Sequence, residues 1–258
     1  MKKHVLFSLL ILLLVLSVTA CGSAQRSDTK AEKKEIPDLE AVMTLDEYPS
    51  CDGSPLALPM SEAVCCALTG AERSAVCNKI VHNGKESALN SLFGGKTDIV
   101  FVEGDDASLN TEAEKAGVKI ELFPVAREYY AFYSKAELTD EEKSKLLSDD
   151  GLEAGSSENN ISAQTASAII EGGLKCSINY AKGYFISGYT PEGVVIYTVN
   201  GVAPDRDTII SEEYPYSFCY YAIIRADSPA GSSERAVAEA LAGESGQKLL
   251  EETGYVRY

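Results

Sequence analysis

From Val5 to Leu16 the chain is one apolar run, interrupted only by Ser8, and from Gly22 to Pro37 it is polar and charged with no hydrophobic period. Beyond Leu39 short β-rich runs alternate with segments of helical spacing, the pattern of an α/β protein. Ser61 to Leu68 reads as a helix stopped by Gly70, and Asn78 to Val81 as a short strand. Glu86 to Phe93 sets Leu89, Leu92 and Phe93 on one helical face before Gly94-Gly95 ends it, and Ile99 to Val102 follows as a buried strand. Glu112 to Ala116 reads as a helix closed by Gly117, with Val118 to Val125 returning as a strand and Ala131 to Tyr133 continuing extended. Thr139 with Asp140-Glu141-Glu142 starts a helix that reaches Leu147, after which Ser148 to Asn160 is acidic, small and loop-like. Ser162 to Ile170 forms another helix, Gly193 to Val199 and Ser217 to Ile224 have β character, and a helical tail runs from Arg235 to Glu252. Repeated strand and helix units of this kind imply a parallel sheet.

The opening run has the flanks of an export signal. Lys2 and Lys3 precede it, and Ser17-Val18-Thr19-Ala20 place small residues before a cleavage point, with Cys21 positioned to take lipid after it. The run falls short of the roughly 20 apolar residues that a spanning helix needs. The expectation is a lipoprotein leader at residues 1–20, lipid attachment at Cys21, a flexible tether at 21–38 and a folded body beyond it. That body would work outside the cytoplasm, held at the cell membrane by its lipid. Intracellular metabolism, nucleic-acid handling and ATP-driven chemistry are disfavoured there, which leaves binding, surface interaction and hydrolysis.

The formal net charge is −16, and loss of the leader removes Lys2 and Lys3 without removing an acidic residue. Such a field opposes DNA and anionic lipid, so no nucleic-acid partner is expected. An anionic ligand would need local dipoles such as helix N-termini. Six of the seven cysteines remain once Cys21 is lipidated. Outside the cell they fit either one or two disulfides, whose pairing spacing alone does not fix, or free thiols in a chain large enough to build its own core. Cys65 and Cys66 are neighbours on a helix and point apart. Zinc on Cys65, Cys66, Cys77 and His82 would lack the separated-pair spacing of such sites, so no metal is expected.

Four segments carry a resemblance to the phosphate-binding proteins of bacterial ABC importers. Tyr48-Pro49-Ser50-Cys51-Asp52-Gly53-Ser54 followed by Pro59 resembles the opening segment of that family. Asn83 to Asp98, then Ile99-Val100-Phe101-Val102-Glu103, resembles its helix and following strand. Val199-Asn200-Gly201-Val202-Ala203-Pro204 with Glu213-Tyr214-Pro215 is similar to its Asp-Gly-Val-x-Pro and Tyr-Pro pair, and Gly246-Gln247-Lys248 to Gly254-Tyr255-Val256 to its closing helix. The resemblance runs from about Leu45 to the C-terminus. It implies a two-lobed α/β fold of the type 2 periplasmic-binding-protein kind, with a ligand in the interlobe cleft and hinge closure around it. Lobe 1 would be 39–128 plus 217–258 and lobe 2, shortened, 129–216, with the chain crossing between them near 126–131 and 216–221. The implied ligand is phosphate or a similar small oxyanion, and the implied partner an ABC permease in the membrane, with the protein a monomer.

The same resemblance implies a ligand set of Ser54, Lys85, Glu103, Ser162, Gln164 and Thr165. Ser54 heads the first helix, where its hydroxyl either meets an anion or caps the helix. Glu103 stands where relatives carry a carboxylate, commonly Asp, that accepts a hydrogen bond from a protonated phosphate. Asn160-Ile161-Ser162-Ala163-Gln164-Thr165 is similar to the family's Asn-Ser-Gly-Ser-Gln-Thr, with two serines lost. The arginine usual just before it is missing, and none lies between Glu128 and Gly201. Losing one charged and one neutral hydrogen bond would weaken phosphate binding by roughly 2 to 4.5 kcal/mol. Lys85, at the start of the second helix, and Arg127 are candidate replacement cations or solvated surface charges.

Two other classes stand beside an import receptor. Aromatic rings at Tyr129, Tyr130, Phe132, Tyr133, Tyr214, Tyr216, Phe218, Tyr220 and Tyr221 mostly form the core, or a few of the tyrosines line the cleft for an organic solute. The chain also fits a sensory or protein-interaction lipoprotein that keeps the scaffold without transport. An enzyme is disfavoured, because His82 is the only histidine after the leader and has no recognisable nucleophile elbow, zinc helix or phosphate loop to work with.

Overall fold

A computed structural model describes residues 37–135, 159–171, 178–182 and 193–258. The leader, Cys21, most of the tether, the helix expected at 139–147, most of the acidic loop and Cys176 lie outside the described residues. Contacts divide the chain after Glu35, and everything described belongs to the unit Ile36–Tyr258.

The opening segment supplies strand β1 (Cys51–Gly53), a 3-10 turn at Pro55–Ala57 and helix α1 (Leu58–Thr69). Pro59 fits the first turn of α1, where its missing N–H is no loss, and Gly70 ends the helix in the left-handed conformation at φ 66°. A short helix α2 (Arg73–Val76) follows. The segment Asn78 to Val81, expected as a strand, instead continues from α2 as turns, with the amides of Lys79 and Ile80 donating to the Val76 carbonyl. Helix α3 (Lys85–Phe93) leads to strand β2 (Ile99–Gly104), and helix α4 (Asp106–Lys115) to strand β3 (Ile120–Lys135).

β3 is the longest element among the described residues and joins what the sequence suggests as two separate stretches. After it come β4 (Asn160–Ile161), α5 (Ala163–Ile170), β5 (Asn179–Lys182), β6 (Val194–Ile196), β7 (Thr198–Val199) and α6 (Arg206–Ile210). Strand β8 (Ser217–Arg225), helices α7 (Ser233–Ala242) and α8 (Glu244–Glu252) and strand β9 (Val256–Arg257) complete the order. The single tail helix is thus two helices that meet at Gly243.

The principal sheet runs β1-β2-β8-β3-β5, with β6 and β9 also paired to β3. Only β1 and β2 are parallel in it; β2 with β8 and β8 with β3 are antiparallel. This corrects the parallel sheet expected from the strand and helix alternation. The physical reason is that β3 carries the chain outward and β8 brings it back alongside, so these neighbours run in opposite directions. A second sheet pairs β4 and β7 in parallel.

The central strands are buried on both faces, which is why β2 reads as an unbroken apolar run. Ile99 and Phe101 pack with Ala222 and Ile224 of β8 against α1, α7 and α8. Val100 and Val102 pack with Tyr221 and Ile223 against Leu89 and Leu92 of α3 and Leu109 of α4. A third cluster surrounds the far end of β3, joining Tyr129 and Phe132 to Ile161, Ala166, Ile169 and Tyr214. No helix among the described residues is long and apolar enough to cross a membrane.

Candidate functional site

Ser54 sits where β1 turns into α1, and the loop is fixed by a dense set of local bonds. The buried Asp52 carboxylate accepts from the Gly53 amide at 2.7 Å and from the Asn83 amide and side chain at 2.7 and 3.0 Å. His82 Nδ1 lies 2.7 Å from the Ser54 carbonyl and its Nε2 2.9 Å from the Ser61 hydroxyl, and burial lowers the imidazole pKa. His82 therefore braces the loop. Gly53 has no room for a side chain, since an added Cβ would strike the Phe101 carbonyl oxygen. From the other end of the chain, the Tyr255 hydroxyl donates to the Leu56 carbonyl at 2.7 Å.

This scaffold presents the Ser54 hydroxyl to Glu103, which accepts its hydrogen bond through Oε2. Ser54 is buried and makes no capping bond to its helix. Glu103 Oε1 faces Lys182 Nζ at 3.4 Å, and that ammonium lies over the rings of Tyr130 and Phe218, 5.3 and 5.2 Å from their centroids. Burial pushes the Glu103 carboxyl up, but the bonds to Ser54 and its own backbone and the nearby ammonium outweigh it, so it titrates below the usual carboxylate range. Burial pushes Lys182 down while Glu103 and Tyr130 raise it, with a net rise.

Strand register explains why these residues meet. Residues paired across a ladder share a face, as do residues two apart on one strand. Glu103 pairs with Tyr220, Glu128 with Phe218 and Tyr130 with Lys182, so all six side chains stand on one side of the sheet. Glu128 is buried there. Burial raises its carboxyl to about 7, Glu103 adds to the rise, and Tyr220 and Lys182 oppose it. The Tyr220 hydroxyl approaches Glu128 without a hydrogen bond of regular geometry, and neither it nor Glu128 Oε2 has a partner among the described residues.

The remaining sequence-derived candidates fall elsewhere. Lys85 opens α3 and lines a polar hollow of about 610 Å3 with Asn83, Ser87 and Lys96, a hollow that includes neither Ser54 nor Glu103. We place the site at Ser54 and Glu103 because charged and hydroxyl groups converge there. Ser162 caps α5: its Oγ accepts from the Thr165 amide at 3.0 Å and lies 2.9 Å from the Thr165 hydroxyl. Asn200 takes the Ala163 amide at 3.0 Å, so two amides at this helix start already meet acceptors of the protein. Gln164 is exposed and Thr165 buried. Arg127 lies on the opposite side of β3 from Glu128, paired with Glu212 at 2.6 Å and placed over the Tyr258 ring.

The cysteines 51, 65, 66, 77 and 219 are free thiols. Burial pushes Cys51 up to about 12, with Cys65 and Asp52 adding to it, and pushes Cys65 up to about 11, so neither is reactive at neutral pH. Among the described residues no group of three or more metal-ligating side chains is placed to hold an ion.

Sequence reasoning missed Lys182 and Glu128 as neighbours of Glu103, whereas Tyr220 and Phe218 stood among the aromatic residues weighed for the cleft. The missing arginine signalled that a cation had to come from elsewhere, but lysines at 135, 143, 145, 175 and 182 were equally eligible by sequence. Only the pairing of β5 with β3 singles out Lys182.

No family model matches the sequence, and no curated protein matches it. Solved structures do match in fold. An ABC-type phosphate transport receptor from Vibrio cholerae shares 14% identity at a TM-score of 0.53, covering 81% of this chain and 99% of that one. A structure from Clostridium perfringens solved with bound phosphate shares 17% identity at a TM-score of 0.51, covering 81% and 98%. PstS from Borrelia burgdorferi shares 18% at a TM-score of 0.50, covering 82% and 98%. The chain thus has the two-lobed α/β periplasmic-binding-protein fold to which these phosphate-transport structures belong.

Proposed function

We propose that the chain is a lipid-anchored, extracytoplasmic solute-binding protein of an ABC importer that takes phosphate or a similar small oxyanion in its interlobe cleft. The observation that carries this reading is the Ser54 hydroxyl held on the Glu103 carboxylate at the start of the 3-10 turn that leads into α1. A hydroxyl donor beside a carboxylate acceptor suits an oxyanion that keeps one proton: the hydroxyl meets a bare oxygen and the carboxylate takes the ligand's O–H. Phosphate in the Clostridium perfringens structure, and the fold shared with the other two, support the ligand class. The lobes are assigned as 39–128 plus 217–258 and 129–216. The apolar run before Cys21 supports export at 1–20 and lipid attachment at Cys21, with the membrane permease as partner and a monomer as the working form.

The test is calorimetric titration of phosphate into the detergent-solubilised protein, stripped of ligand by unfolding and refolding, with sulfate as control. Saturable binding that is lost in Ser54→Ala is expected. Absence of heat, together with no thermal stabilisation by millimolar phosphate, would overturn the oxyanion reading and favour the sensory or interaction role.

A further inference from the structure

We propose that Lys182 is the cation that pairs with the bound oxyanion, and that without ligand it rests on Glu103 between the rings of Tyr130 and Phe218. The inference rests on the oxyanion reading above and names the residue that replaces the absent arginine.

Three observations carry it. First, the Lys182 to Glu103 separation of 3.4 Å is longer than the 2.7–2.9 Å of a fully formed charged hydrogen bond, so the ammonium keeps donors for another acceptor. Second, the ammonium lies over the Tyr130 and Phe218 rings, with the Tyr130 side chain as a further partner, and faces the carboxylate that Ser54 also reaches. Third, Glu128 Oε2 and the Tyr220 hydroxyl approach each other on the same side of the sheet, buried and without a hydrogen bond of regular geometry among the described residues. Unpaired buried polar groups are rare, and a water entering with the anion would bridge them, accepting from the Tyr220 hydroxyl and donating to Glu128. Arg127 stands on the other side of β3, where it pairs with Glu212 and lies over the Tyr258 ring with its Nε unpartnered among the described residues, and Lys85 lies along α3.

When the ligand enters, one protonated oxygen donates to Glu103, a bare oxygen accepts from Ser54, and Lys182 swings from the carboxylate to the anion. No covalent bond changes. Among the described residues, the charged groups around Lys182 are Glu103, on β2, and Glu128, on β3. Together they make a fully ionised oxyanion less welcome than a protonated one.

The experiment is phosphate titration into the full-length protein in detergent, comparing wild type, Lys182→Met and Lys182→Arg, with ligand-free thermal unfolding to show that each is folded. Binding roughly ten- to a hundredfold weaker in K182M, retained within severalfold in K182R, is expected. The wild-type advantage over K182M should shrink as salt is raised, which a packing role would not produce. Should K182M unfold at the working temperature, Lys182→Gln takes its place. Phosphate bound equally by wild type and the neutral variants would overturn this inference and leave the oxyanion reading standing. No binding by wild type would overturn both.

Discussion

Glu128 links the electrostatics of the site to stability. An acid whose folded pKa is raised from 4.5 to about 7 binds its proton more tightly in the folded state. Below about pH 4.5 both states are protonated and no penalty exists; as pH rises through about 7, ionising a buried carboxyl costs stability. The span corresponds to roughly 3 kcal/mol at full ionisation. Thermal unfolding between pH 4.5 and 8 should therefore show wild type losing stability relative to Glu128→Gln as pH rises. Equal slopes for the two proteins would show that Glu128 titrates normally. Glu103 has the opposite sign: its lowered pKa contributes stability that is present above about 4.5 and lost as pH falls. Two carboxyls on one side of one sheet thus favour opposite protonation states.

Among the elements, the junction of α7 and α8 tolerates least. Gly246 lies so close to α7 that a Cβ would strike the Ala240 carbonyl and come 2.5 Å from Leu241 Cα. Gly246→Ala should cost about 1 to 3 kcal/mol, read as a lowered denaturation midpoint with unchanged slope. Its neighbour Gln247 holds α8 to the sheet, its amide donating to Val125 at 2.7 Å and Leu241 at 2.9 Å, so the Gly-Gln pair of the closing motif has a packing explanation. Elements with strong local signals were legible: α3, β2 and α5 begin and end near the residues expected of them, because Gly94, Ser162 and the apolar runs mark them. The opening of α4 was read short, since polar Asp106 to Thr111 hides all but Leu109 from the period, although Asp105 caps it through the Ser108 amide. β3 was read in two pieces because Arg127-Glu128 interrupt its apolar run, whereas Pro124, where the pairing with β8 shifts register, lies inside the first piece. Strand direction was not legible, because it depends on β8 inserting between strands whose paired residues lie 88 to 125 positions earlier. The site was half legible: Ser54 and Glu103 stand in recognisable segments, whereas Lys182 is paired by β5 with Tyr130, 52 positions away, and nothing local marks it.

At the scale of the whole molecule, β8 fills the space between β2 and β3, which do not pair with each other. Until Ser217 to Arg225 is available, the inner edges of both earlier strands carry unsatisfied backbone amides and carbonyls flanked by Val, Ile, Phe and Tyr. Exposed apolar strand edges are templates for intermolecular pairing. A chain ending at Tyr216 should accordingly form sheet-rich aggregates, and a peptide of residues 217–258 added during refolding should suppress them; a monomeric, cooperatively unfolding truncation would refute this. Arrival order follows from the same fact. However early the first strands emerge, they wait for the last sixth of the sequence before the sheet can be sealed, so an exported form of this chain would depend on protection from its neighbours until its C-terminal segment arrives.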